Sequence, residues 1–209
     1  MINTLFRELY ACLQEPLNGS NLRTVFLLLT RAHYSDSKNY GYLKDDLNCL
    51  KYSADIGECS LFVELGQEYD YNKATRRPAV YVNFPEPLTF RKADLRQRQD
   101  SFEDNSGYTS GVMAETVVSF AHVHNSMDTA LLLADSTNSF FFAIRDTIMS
   151  HLNLMQFDPI NISNATVIEK APERFFRVDV NFKIMFNYKV DTNLESHRLK
   201  KFALELEGS

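Results

Sequence analysis

The chain has 209 residues, 44% hydrophobic and 23% charged, so one domain over 1–209 is expected, burying roughly 70% of its unfolded surface without a disulfide or metal staple. Seven glycines and six prolines exclude collagen-like and low-complexity classes, and apolar runs such as Val25–Leu29 fall far short of the ~20 residues of a membrane span. A formal net charge of −5 argues against a nucleic-acid binder that works by neutralising phosphates.

In chain order, Leu5, Leu9, Cys12 and Leu13 recur at helical spacing and predict an amphipathic helix over 3–14, stopped by Pro16 and Gly19. Nothing there resembles the apolar core of a signal peptide. Leu22, Val25, Phe26 and Leu29 fit a second helix over 21–33, although the run Val25–Leu29 also fits a buried strand. Residues 34–48 are polar and read as loop. Alternation predicts a strand over 60–65, and Pro78 opens another, Ala79–Phe84, which Pro85 and Pro87 close.

Residues 86–113 differ from their surroundings. The basic residues Arg91, Lys92, Arg96 and Arg98 precede the acids Asp100, Glu103 and Asp104, and then a Gly and hydroxyl tract runs from Asn105 to Gly111. A structureless loop of this length is uncommon inside a compact domain. A solvated loop, a mobile arm and a projecting hairpin all fit.

The second half carries the clearest patterns. Thr116–His124 alternates as a strand, with Val118, Phe120, His122 and His124 on one face. Asn125 or Ser126 is placed to cap a helix whose first turn holds Asp128. That helix is predicted over 126–152, roughly 40 Å long, with Met127, Ala130, Leu131, Ala134, Asn138, Phe141, Ile144, Ile148 and Leu152 as its inward stripe. A short strand over 165–169 precedes a long one over 175–190. There Val178, Val180, Phe182, Ile184, Phe186 and Tyr188 alternate with Arg177, Asp179, Asn181, Lys183, Met185 and Asn187, the signature of an antiparallel sheet with one wet face. The strand, about 45 Å, and the long helix match in length and could pack along each other. Residues 191–209 form a C-terminal extension. The expected architecture is α+β: two layers, a mostly antiparallel sheet with helices on one face.

Chemistry is sparsely marked. Cys12, Cys49 and Cys59 make no CxxC pair and read as reduced thiols of a cytoplasmic setting. No nucleophile elbow and no phosphate-binding glycine loop occurs. His122 and His124 form an H-x-H pair that could share a metal, but only His33, Asp128 or His151 suggest a third ligand. The plainer expectation is two hydrogen-bonded or solvated histidines at a strand end. No catalytic, cofactor-binding or metal-binding residue is therefore assigned. Arg91, Lys92, Arg96 and Arg98 are candidate subunit or partner contacts, as are Arg177, Asp179 and Lys183 on the wet face, where mixed charges can meet a neighbour.

The order of these segments resembles tailed-bacteriophage neck proteins of the tail-terminator (tail-completion) type. The likeness lies in the Pro-led strand 77–84, the charged glycine-containing insertion, the strand Thr116–His124 leading directly into Asn125–Ala134, the alternating strand 176–188, and a tail with Glu195-Ser196 and Leu199-Lys200-Lys201. It covers roughly residues 60–200 and is one of element order and periodicity. The resemblance implies a non-enzymatic virion protein, assembled in the host cytoplasm, without a cofactor. Its partners would be copies of itself in a ring, typically of six, the head connector or adaptor, and the tail tube or sheath, with DNA as passing cargo and no membrane. The long N-terminal region and the C-terminal extension depart from that pattern. A metal-dependent enzyme using His122 and His124, or another neck or tail adaptor, are the alternatives.

Overall fold

The computed structural model describes residues 19–40, 43, 45–55, 57–66, 78–84, 87–90, 102–104, 107–170 and 173–191. The helix expected over 3–14, the basic residues 91–98 and the extension beyond Asp191 lie outside the described residues. Helix α1 spans Gly19–Tyr34. Its predicted stripe is the side that packs: Leu22, Val25 and Phe26 are buried, with Leu29 partly so. Helical packing therefore wins over the strand alternative for Val25–Leu29. Residues 34–48, read as loop, instead carry short 3-10 turns at Ser37–Asn39 and Asp45–Cys49 and bury Tyr34 and Tyr40 completely. Tyr40 Oη donates to the Leu50 carbonyl, and Asn39 Nδ2 donates to the His33 carbonyl (2.8 Å). Polar tips with local backbone partners let this segment go inside.

Eight strands among the described residues form one mixed sheet. They are β1 (Phe62–Leu65), β2 (Ala79–Asn83), β3 (Thr89–Phe90), β4 (Phe102–Asp104), β5 (Gly107–His124), β6 (Leu154–Ile162), β7 (Thr166–Lys170) and β8 (Glu173–Asp191). The main order is β1-β2-β5-β8-β6; β3 and β4 pair with β5, and β7 with β8. Every pairing is antiparallel except β1 with β2, which is parallel. The α+β expectation holds, with helices on one face.

The centre of the sheet is the pair β5–β8, in register from Thr109↔Asp191 to His124↔Phe176. Alternation on β8 places Val178, Val180, Phe182, Ile184 and Phe186 inside, as expected, while Arg177, Asp179, Asn181 and Lys183 on the other face are half-exposed. That second face is not wet throughout: Ala79, Tyr81 and Ala121 are buried there, flanked by Phe62 and Val123.

The helix expected over 126–152 is two helices, α2 (Met127–Ala143) and α3 (Arg145–His151), meeting at Ile144 (φ −99°, ψ 8°). Ser126 is the cap, its Oγ accepting from the Thr129 amide. The buried side of α2 is Thr129, Ala130, Leu133, Ala134, Ser136, Thr137 and Phe141. At 100° per residue this lies roughly a quarter turn from the predicted stripe, and Met127 and Leu131 face outward. Apolarity misled because α2 is apolar nearly all round, so small hydroxyl residues could take the inner side.

Lengths also differ from expectation. Helix α2, with 17 residues, is about 25 Å long, whereas β5 and β8, with 18 and 19, are each about 60 Å. The last inward-facing rung of the core is Leu154–Phe186–Ala114 across three strands. Beyond it β5 and β8 continue as a ribbon, joined by the β4–β5 hairpin (Phe102↔Thr109 to Asp104↔Gly107). Residues 102–104 and 107–113 of the segment set apart as a possible arm are thus strand. Phe90, at the edge of this ribbon, rests edge-on against Tyr188 (5.5 Å between centroids).

Strand β6 has no counterpart in the sequence pattern. Bulges between Leu154 and Gln156 and between Pro159 and Asn161 shift its register, so its buried residues, Leu154 and Phe157, are three apart. Asn153 makes the entry turn in the left-handed region (φ 49°), which asparagine tolerates better than other non-glycine residues.

Phenylalanines fill the space between the layers. Phe141 of α2 stacks on Phe120 of β5 (4.5 Å) and meets Phe26, Phe157 and Phe182 at 5.8–6.1 Å. Phe157 stacks on Phe182 at 4.8 Å. With no tryptophan in the chain, this cluster supplies the aromatic burial that ties α1, α2, β5, β6 and β8 together.

Candidate functional site

The histidines singled out by the sequence lead to the most concentrated polar chemistry of the described core. His122 is completely buried. Its Nδ1 lies 3.2 Å from the Val178 carbonyl, which can only accept, so Nδ1 carries the proton. Nε2 is then an acceptor, and Thr137 Oγ1 donates to it at 2.7 Å. Tyr34 Oη lies 2.8 Å from both Thr137 Oγ1 and the Leu133 carbonyl, and is left to donate towards them. The hydrogen bonds therefore run one way, Tyr34 to Thr137 to His122 to Val178, through α1, α2, β5 and β8. Beside them His33 Nε2 pairs with Ser136 Oγ (2.8 Å), and its ring stacks on Phe140 (4.3 Å).

Electrostatics follow burial. Desolvation holds His122 down to about 4, against the opposing pull of the Val178 and Phe120 carbonyls. His33 is likewise lowered to about 4, first by burial and then by the charge that His122 would carry. Burial pushes the Tyr34 and Tyr40 phenols well above their ordinary range. Both imidazoles are thus neutral at pH 7. His33 Nδ1 is the one buried side-chain nitrogen or oxygen without a hydrogen-bond partner among the described residues.

This arrangement positions; it does not present a reactive group. Both ring nitrogens of His122 are committed to protein partners. His124, lowered by its half-burial, accepts from the Ser126 amide at Nδ1 (2.9 Å) and so helps start α2. Among the three side chains suggested as a further ligand, His151 Nδ1 faces the Thr147 carbonyl (2.9 Å), Asp128 is exposed at the start of α2, and His33 is bonded to Ser136. No group of three His, Cys, Asp or Glu that could hold a metal occurs among the described residues. Sequence reasoning placed the histidines at a strand end, hydrogen-bonded or solvated; it missed Thr137, Ser136 and Tyr34. For Ser136 and Thr137 the signal that could have found them is a run of small and hydroxyl residues at helical spacing, Ala130, Ala134 and Thr137 at i, i+4 and i+7, flanked by Thr129 and Ser136.

Of the charged candidates, Arg177, Asp179 and Lys183 occupy the opposite face of the sheet, and Arg91, Lys92, Arg96 and Arg98 lie outside the described residues. Lys183 pairs across strands with Glu115 (2.6 Å), and Arg177 with Asp179 along β8 (2.9 Å). The structure brings Arg177, Asp179 and Lys183 onto one face but partners each within the chain. The sheet edges are guarded too. Arg31 Nε donates to the Val63 carbonyl of β1 (3.0 Å), and Arg145 Nε to the Phe157 carbonyl of β6 (2.9 Å) while its guanidinium pairs with Asp158. Cationic caps, bulges and Pro159 oppose pairing with another strand. Among the described residues no helix is long and apolar enough to cross a membrane. Compared with known proteins, the chain matches no family model and no curated sequence.

Proposed function

We propose that this chain is a structural virion protein of the tail-terminator type. It assembles into a ring, of six copies by the resemblance, at the head–tail junction, where it ends the tail and joins it to the head connector while DNA passes through the lumen. The observation that carries this is the element order within one sheet: the Pro-led strand β2, the β4–β5 hairpin, β5 running through a two-residue cap into α2, and the alternating strand β8 beside β5. Among the described residues the concentrated polar network is buried and internally satisfied but for His33 Nδ1, which suits a building block better than an enzyme.

Charge and size agree with this role. A compact 209-residue chain is about 43 Å across, and six such bodies in a ring enclose a hole about one body wide, enough for a duplex. Six copies at −5 carry −30, which disfavours adhesion of passing phosphates. The test is the place of the polypeptide in purified particles, by mass spectrometry and imaging. A single ring of density at the neck, accounted for by this chain, is the expected result; a protein absent from particles refutes the proposal.

A further inference from the structure

We propose that the outward face of α2 is the seat for residues 91–98 of a second copy of this chain, an inference that rests on the ring assembly proposed above. Met127, Leu131 and Phe142 fall on one stripe of α2, on the side away from its buried residues, and are 44%, 37% and 62% exposed. A helix on a sheet normally turns a charged side to water. Here 17 residues hold only two charges, Asp128 and Asp135, both exposed on that same stripe, with exposed Asp146 just past its end. No lysine or arginine lies between Met127 and Ile144 to balance them.

An apolar stripe edged by unbalanced carboxylates calls for a partner both apolar and basic. It is the wrong sign for nucleic acid or an anionic membrane. The chain itself carries the complement. Residues 91–98 read Arg-Lys-Ala-Asp-Leu-Arg-Gln-Arg, four cations against one acid, with Leu95 among them and Phe90, 54% exposed, just before. Because seat and occupant are different surfaces, the contact is heterologous, the kind that propagates round a ring. The guarded edges at Val63 and Phe157 turn assembly away from strand addition there and leave such a side-chain contact available.

The test mixes ¹⁴N- and ¹⁵N-labelled protein and applies a carbodiimide, which joins an amine to a carboxylate in direct contact. Cross-links from Lys92 to Asp128, Asp135 or Asp146 that contain one light and one heavy peptide are expected. Solution mass is read in parallel. Asp128→Lys with Asp135→Lys should weaken self-association on the order of 100-fold, and adding Arg96→Asp and Arg98→Asp to the same chain should restore it to within about tenfold. Cross-links of uniform label alone would mean that the segment docks on its own chain. Unchanged association in the lysine variant, with no Lys92 cross-link, would mean another occupant or none. A wild-type chain that stays monomeric at the highest attainable concentration also refutes the seat. The neck location in particles is read separately, so the ring can survive when the seat fails.

Discussion

Acidification is the sharpest probe of the buried histidines. His33 and His122 sit at about 4 in the folded chain, against 6.5 when exposed. Because the folded value is the lower one, the unfolded chain binds more protons between the two. Stability is therefore complete above pH 6.5, is lost as pH falls, and levels off below about 4. Each histidine accounts for about 3 kcal/mol, and the two together for a slope of up to about 2.7 kcal/mol per pH unit. A domain of ordinary stability holds about 5–15 kcal/mol in all, so this loss alone brings it close to unfolding near pH 4. Urea unfolding measured from pH 7.5 to 4, for wild type, His122→Asn and His33→Phe, isolates the effect from the carboxylates that all three share. Each variant should lose about half of the histidine-dependent slope, whatever its stability at pH 7; His124, lowered in the same direction, contributes equally to all three. A wild-type midpoint that does not move between pH 7 and 5, or variants that keep the wild-type slope, would show that the imidazoles are not held neutral by burial.

Further outcomes follow from the same geometry. In ¹⁵N-resolved histidine spectra at pH 7, His122 should appear as the Nδ1–H tautomer, and Thr137→Val should cost about 1–3 kcal/mol by leaving Nε2 buried without a donor. Phe141→Ala should cost about 3–5 kcal/mol in denaturant midpoint because its ring joins four other phenylalanines from α1, β5, β6 and β8. Asn153→Gly should be neutral or slightly stabilising, while Asn153→Val should cost about 1–2 kcal/mol because only the branched residue resists a φ of 49°. Arg145→Ala should change thermal stability by no more than about 1 kcal/mol, since its ion pair is about a third exposed, yet light scattering on partial unfolding should rise as the β6 edge loses its cap.

Much of this molecule is written in local pattern. The period-two run from Val178 to Phe186 puts its apolar side chains on one face of a strand and its polar ones on the other, and all five apolar residues are buried. Leu22, Val25 and Phe26 named the inner side of α1 by the same logic, and Asn125 or Ser126 with Asp128 announced the start of α2, the structure choosing Ser126 as the cap. Tertiary structure alone decided the rest. Which side of α2 faces inward could not be read from apolarity, because Met127, Leu131 and Phe142 compete with Ala130, Ala134 and Phe141. The choice rests on hydroxyls at Ser136 and Thr137 finding His33 and His122, partners 103 and 15 residues away. Strand β6 was hidden because two bulges destroy the alternation that marks a strand, and Tyr40 went inside a polar segment because the Leu50 and Tyr34 carbonyls, ten and six residues away, received its hydroxyl. Periodicity records the face an element turns to its neighbours, whereas a buried polar group depends on which neighbours the folded chain brings within hydrogen-bonding distance.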